Sequence, residues 1–271
     1  MAKRALCIGV NYYPGALQDL SGCINDARDW SAALKRHGFE VRELLDRKAS
    51  GRAIREGISK LCGSAKAGDS LVVQFSGHGS YVPDTNGDEP DGTDEAICPF
   101  DVGTQGPITD DELFELYSER PRGAKLLVLS DSCFSGNVTR FAPVAALLAK
   151  RSRPMPRRRV KFLPPAAFLS RRELSRLGER RRRRAASPPG RYAGLLMSAC
   201  QDTEESWDAD INGRFNGAFT YVALRALSKL GPRATYRNWY KEIRKALPSQ
   251  EFTQTPELYG SSSMKRWRVL A

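Results

Sequence analysis

Hydrophobic and polar positions alternate along this chain in two textures. Short, almost wholly apolar runs fall at about 4–10, 39–45, 70–76, 125–131 and 192–199, with a last one near 264–270. Runs of this length, rich in Val, Leu and Ile, read as strands. Between them, apolar residues recur at helical spacing near 22–37, 50–64, 109–119, 217–230 and 235–246. Strands that are apolar on both faces need cover on both faces. The pattern therefore predicts an α/β protein: a mainly parallel six-stranded sheet flanked by helices on both sides. Two segments break the rhythm. Residues 80–108 are rich in Asp, Gly and Pro and read as a long ordered loop. Residues 150–191 contain KRSRPMPRRR, FLPPAAF and ERRRRR. Such like-charge blocks with repeated prolines pack poorly into a core, so this segment is expected to be disordered or loosely docked.

A length of 271 residues suits one large core, here a single domain over 1–271. No apolar stretch approaches the ~20 residues that span a bilayer. The opening MAKRALCIGV enters a strand directly and lacks a signal-peptide layout, so a cytoplasmic protein without membrane contact is expected. The six cysteines (7, 23, 62, 98, 133 and 200) are scattered and include no CxxC. That spacing disfavours a disulfide framework or a zinc site and suits reduced thiols. The formal net charge is +12, but residues 150–191 hold sixteen Lys/Arg against two Asp/Glu, a local balance of +14. The rest of the chain is therefore close to neutral, which argues against nucleic-acid binding by the body of the protein.

The chemistry concentrates at two strand ends. Residues 71–79 read LVVQFSGHG, and 126–136 read LLVLSDSCFSG. Each is an apolar strand stopping at a Gly-flanked turn, one bearing His78 and the other Cys133. Parallel sheets bind ligands beyond the carboxyl ends of their strands, which is where both residues fall. A cysteine nucleophile needs a base to form thiolate and amide donors for the oxyanion of its tetrahedral intermediate. His78 can supply the first, and the N–H groups of Gly79 and Cys133 the second. The other histidine, His37, stands before Gly38 at a helix C-terminus and suits the dipole there.

Further motifs accompany this pair: ALCIGVNYY (5–13), GCINDA (22–27), FSGHGS (75–80), DGTDEAICPFD (91–101), ITDDEL (108–113), DSCFSG (131–136) and NGAFTYVALRAL (216–227). Together they resemble the caspase-like cysteine peptidases, closest to the metacaspases and their bacterial relatives, the orthocaspases. The histidine-first order and the 55-residue separation of His78 and Cys133 are of the caspase type. The resemblance implies a caspase–hemoglobinase fold with a large catalytic segment (1–149), a linker (150–191) and a small segment (192–271). It implies cleavage of proteins after Arg, and also Lys, with Cys23, Asp26, Ser76 and Asp131 lining the pocket for the basic side chain. Carboxylates there favour a guanidinium and repel an acidic substrate. Trp207 and Asp208 match a region that contacts residues before the scissile bond. Calcium is the metal of many relatives, and Asp94, Asp110 and Asp111 match three ligand positions; the fourth is Arg140, whose charge repels a cation. No cofactor is therefore expected to be required, and calcium activation is disfavoured.

The basic linker offers many Arg bonds to an Arg-cutting enzyme. It is expected to be the activation linker, cut by the enzyme itself or by an upstream peptidase, and to lie across the acidic pocket as a pseudosubstrate beforehand. The alternative is a non-catalytic adaptor whose Arg-rich segment binds nucleic acid. A monomer is expected because the metacaspase-like group lacks the caspase dimer mode.

Overall fold

The computed structural model describes residues 1–15, 18–87, 89, 92–134, 158–180, 193–201 and 204–271. Its centre is a six-stranded sheet formed by β1 (Lys3–Gly9), β2 (Glu40–Leu45), β3 (Ser70–Ser76), β7 (Lys125–Asp131), β9 (Leu195–Ser198) and β12 (Glu257–Tyr259). The spatial order is β12-β9-β7-β3-β1-β2, and every pairing is parallel except β12 with β9. The α/β sheet predicted from the pattern is present, with one displaced strand. The sixth strand is Glu257–Tyr259, whereas residues Met264–Arg266 form a 3₁₀ turn. Only Arg268 in the stretch expected to be a strand makes an isolated bridge, with Thr235.

Among the described residues, seven helices accompany the sheet: α1 (Cys23–Arg36), α2 (Gly51–Gly63), α3 (Val102–Gln105), α4 (Asp110–Ser118), α5 (Arg171–Arg180), α6 (Ala218–Leu227) and α7 (Tyr236–Arg244). Strand parity sorts the two cores. Ala5, Cys7, Val72, Leu127 and Leu129 face one side and pack with Trp30 of α1, Phe219 of α6 and Trp239 of α7. Their neighbours Leu6, Ile8, Leu71, Val73 and Leu126 face the other, with Ile54 and Ile58 of α2 and the half-buried Leu113 and Leu116 of α4. Successive side chains on a strand point to opposite faces, so continuous apolar runs fill both layers. Helix starts are fixed locally. Ser50 caps α2 through Ala53 N–H (3.2 Å), and Thr109 caps α4 through Glu112 N–H (3.3 Å), each worth about 1 kcal/mol. Thr235 and Asn238 form a reciprocal capping box on α7.

Two small antiparallel sheets sit at the carboxyl edge. The first, β4-β5-β6 (Gly79–Pro83, Thr93–Ile97 and Ile108–Thr109), is built from three short strands in the stretch expected to be one loop. The second joins β8 (Arg158–Val160) to the hairpin of β10 (Trp207–Ile211) and β11 (Arg214–Gly217). Its turn is Asn212–Gly213, both at positive φ (56° and 82°). Residues 158–180 thus depart from the expectation of a loose tether: they contain a paired strand and a helix, with a 3₁₀ turn at Pro165–Ala167 between them. Residues 150–157 and 181–191 of the expected linker lie outside the described residues. Among the described residues, no helix is long and apolar enough to cross a membrane.

Candidate active site

Three neighbouring strands end level with one another, because Gly9 pairs with Ser76 and Ser76 with Asp131. Chain order reverses beside β1, whose neighbours are β2 on one side and β3 on the other. This is the topological switch point at which α/β sheets open a crevice. Past these ends come Tyr13, His78 with Gly79, and Cys133. The first turns of α1 bring Cys23 and Asp26 to the same place, while the β10–β11 hairpin and the start of α6 close the far side.

At the bottom of the crevice sits a lysine that belongs to the chain itself. Lys161, immediately after β8, is wholly buried. Its Nζ lies 3.0 Å from Asp26 Oδ2, 3.0 Å from Asp131 Oδ1 and 2.9 Å from Ser76 Oγ. An ammonium has three donors and no acceptor, and here it meets three acceptors. The carboxylates are themselves saturated. Asp26 accepts from Ser76 Oγ (2.7 Å), Asn216 Nδ2 (2.9 Å) and Gly217 N–H (2.9 Å). Asp131 accepts from Ser206 Oγ (2.9 Å), Thr220 Oγ1 (2.7 Å) and Thr220 N–H (3.0 Å). Burial alone lowers the pKa of Lys161, but Asp131 and Asp26 overcome it and hold the ammonium well above the usual lysine range. Burial likewise pushes Asp26 up, to about 6, against the lowering pull of Lys161. Cys23, buried in the pocket wall, has its thiol raised by burial. At Gly217 a Cβ would stand 2.1 Å from Asp131 Oδ2 and 2.4 Å from Lys161 Nζ, so only glycine leaves room for the cation.

The backbone of the inserted segment is held as firmly as its side chain. Trp207 pairs with Val160 and Asp208 with Arg159, and the Arg158 guanidinium lies 5.2 Å from the centre of the Trp207 ring. Lys161 N–H donates to Ser206 O (2.8 Å). Its carbonyl oxygen accepts from both Gly79 N–H (2.9 Å) and Cys133 N–H (3.2 Å), the two amides expected to form an oxyanion site. A Cβ at Gly79 would meet Cys133 O at 2.2 Å, so that close approach also requires glycine.

The two reactive side chains are arranged differently. His78 is wholly buried, tilted against the Tyr13 ring, and its Nε2 lies 2.6 Å from Gln18 O. Its Nδ1 has no hydrogen-bond partner among the described residues. Burial drives its pKa down to about 4, offset in part by the carbonyls of Gln18 and Lys161. Cys133 Sγ donates to Glu204 O (2.8 Å). His78 and Cys133 therefore flank the Lys161 carbonyl without a hydrogen bond between their side chains.

Of the residues singled out in the sequence, His78, Gly79, Cys133, Cys23, Asp26, Ser76 and Asp131 gather around Lys161, and Trp207 and Asp208 line the strand before it. The Asp208 carboxylate, raised in pKa by burial, turns instead to Ser21 N–H (2.6 Å) and Gly22 N–H (2.9 Å) at the start of α1. Asp94 stands on β5, Asp110 and Asp111 open α4, and Asp111 accepts from Asn86 Nδ2 (2.7 Å). Among the described residues, no group of three or more His, Cys, Asp or Glu side chains is placed to hold a metal ion; Arg140 lies outside the described residues. The sequence reading missed Lys161, Asn216, Ser206 and Thr220. Asn216 and Thr220 lie in a motif that was noticed, but only their packing reveals which oxygen each serves.

Comparison with known proteins gives the family. The family model for the metacaspase, peptidase C14 domain matches residues 3–141. Metacaspase-3 of Arabidopsis thaliana is 35% identical over 86% of this chain and 62% of its own length. Metacaspase-1 of Cryptococcus neoformans is 30% identical over 97% of this chain and 63% of its own length. The chain thus spans under two thirds of these relatives. A crystal structure of a Geobacter sulfurreducens protein aligns over 100% of this chain and 98% of its own, with a TM-score of 0.72 and 29% identity.

Proposed function

This chain belongs to the metacaspase family of C14 peptidases, and from that premise we propose that it is a cysteine endopeptidase that cuts after Lys or Arg and is latent until its own linker is cut. One observation carries the reading: Lys161 lies in the crevice as a substrate would, with its cation between Asp26 and Asp131 and its carbonyl on two amides. The bond in position for cleavage is Lys161–Phe162. In this reading, residues before 150 form the large catalytic segment and those from 192 the small one.

In the reaction, Cys133 Sγ attacks the carbonyl carbon after the basic residue. The Gly79 and Cys133 amides bind the oxyanion as it forms, where preorganised donors stabilise charge most. His78 carries the thiol proton to the departing amine, and the C–N bond breaks. Water then hydrolyses the thioester and restores the thiol. Asp26 and Asp131, helped by Ser76, discriminate for a cation and against an acidic side chain.

Latency has two sources. The inserted segment fills the crevice at the high effective concentration of a tethered ligand. The Cys133 thiol donates to Glu204 O and must turn before it can attack. Lys161 is wholly buried, which leaves that side chain unavailable for the nucleic-acid contact considered as the alternative.

The test is hydrolysis of matched peptides ending in Lys, Arg or Asp by the full chain, with mass spectrometry of the protein during incubation. Turnover of the basic peptides alone, loss of turnover in Cys133→Ala, and appearance of new ends at Lys161 and Phe162 are expected. Turnover of the Asp peptide, or activity surviving in Cys133→Ala, overturns the assignment.

A further inference from the structure

Beyond Lys161 the same segment is bound just as closely, by chemistry of another kind. Phe162 is 2% exposed. Its ring stacks on Tyr81 of β4, with centroids 5.9 Å apart and planes at 22°. It forms one apolar cluster with Cys133 and Cys200, against which the half-buried Tyr81 and Val160 pack. Leu163, 1% exposed, joins the apolar core on the α2 side of the sheet. The main chain is clamped on both sides of Phe162. Gly79 N–H reaches back to Lys161 O (2.9 Å), and Leu163 N–H donates to Gly79 O (2.9 Å). The buried Ser80 hydroxyl donates to Leu163 O (2.7 Å). Phe162 thus pairs with Gly79 as a short parallel bridge, continuing β4.

We propose that the downstream half of the crevice is a second specificity site, which selects an aromatic residue directly after the scissile bond. Tyr81 is the residue that sets this choice, and the Gly79–Ser80 clamp fixes the register of the chain leaving the site. The inference rests on the Lys/Arg-cutting reading above and deepens it. A basic residue alone is then a weak signal, and a basic residue followed by an aromatic one is a strong signal.

The physical argument is additive. Burying a Phe side chain removes apolar area from water, and a stacked aromatic pair adds to that. Both gains exist only if the residue after the cut is large and apolar. An acidic residue there faces an apolar wall formed by the Tyr81 ring and the Cys133 and Cys200 thiols, which desolvation disfavours. Backbone hydrogen bonds to Gly79 and Ser80 are indifferent to side chain and hold register alone, as in strand addition generally.

The proposal also bears on the chain's own cleavage. Residues 150–191 hold sixteen Lys/Arg, yet only Lys161 and Arg191 are followed by an aromatic residue, Phe162 and Tyr192. A pocket that reads only the basic side chain has sixteen choices. A crevice that also reads the next residue has two.

The experiment uses internally quenched peptides carrying Arg-Arg-Val-Lys upstream of the cut, with Phe, Ala or Asp immediately downstream, and the full chain as enzyme. The expected kcat/KM for Phe exceeds that for Ala about tenfold, with Asp lowest. Tyr81→Ala is expected to bring the Phe-to-Ala ratio near unity, while Tyr81→Phe keeps it. In the protein itself, Phe162→Ala is expected to slow the appearance of the Lys161 end. Equal turnover whatever follows Lys, or a ratio unchanged in Tyr81→Ala, overturns the second site and leaves the peptidase reading standing. Failure to cut after Lys in any peptide overturns the reading on which it rests, and the second site with it.

Discussion

The pocket for the basic side chain and the pair of reactive side chains beside it are built to different degrees of completion. In the pocket, every donor of Lys161 and both oxygens of Asp26 and Asp131 have partners. At the reacting centre, His78 Nδ1 has none among the described residues, and Cys133 Sγ is turned to Glu204 O. Under the proposed function, recognition is complete in this state and chemistry is withheld. The difference has a physical cause. A buried ion pair is tolerated only when fully hydrogen-bonded, whereas a neutral imidazole can lack a partner at modest cost.

Breaking the pocket gives the largest expected effect. Asp131→Asn removes one of two carboxylates from a buried cation, so about 3 kcal/mol of stability should be lost in urea unfolding of the intact chain. Cleavage after Lys should fall by at least about a hundredfold, and a stability change below about 1 kcal/mol would falsify the reading of Lys161 as an internal ion partner. Gly217→Ala places a methyl group where Lys161 Nζ now lies, so Lys and Arg peptides should lose turnover through KM first. Unchanged KM would mean that the cation binds elsewhere.

At the reacting centre the expected signal is a pH dependence. His78 in the folded chain titrates near 4, below its ordinary value of 6.5. As pH falls from 6.5 towards 4 the unfolded chain therefore binds the proton first, and stability contributed by His78 is lost. Asp26 works in the opposite direction, since its folded value of about 6 exceeds the ordinary 3.8 and favours the folded chain as pH falls through 6. Replacing His78 by Gln removes only the first effect. Between pH 7 and pH 5, His78→Gln should lose about 2 kcal/mol less stability than the parent in urea titrations, and parallel curves would show that the imidazole is solvated. The smallest effect belongs to Ser206→Ala, which leaves Asp131 one donor short. About 1 kcal/mol, or several-fold in KM for Lys peptides, is expected, and no change would place Ser206 outside the pocket.

Much of this was legible in residue order, for reasons particular to each element. β3 and β7 are largely apolar runs, so their ends, and with them His78 and Cys133, were marked before any folding. The β10–β11 hairpin had a signal too, Asn212–Gly213, the dipeptide that favours a tight hairpin turn, standing in an acidic stretch. The final strand was misplaced because residues 264–270 are as apolar as Glu257–Tyr259, and sheet membership there is settled by pairing with β9. Lys161 was unreadable for a different reason. It is one of sixteen basic residues in a segment whose composition argues for disorder, and its neighbours Val160, Phe162 and Leu163 are too few to suggest a strand.

By itself, then, the amino-acid order determined the sheet, its two covered faces, and the placing of a histidine, a cysteine and two aspartates at strand or helix ends. Those follow from periodicity and apolar burial, which are local properties of the chain. Which of sixteen basic side chains enters the pocket, and what lies beneath the residue after it, only the tertiary structure decided. That choice depends on complementarity between segments far apart in sequence: Asp26, Asp131 and Gly217 around a cation, and Tyr81 with Cys200 beneath a ring.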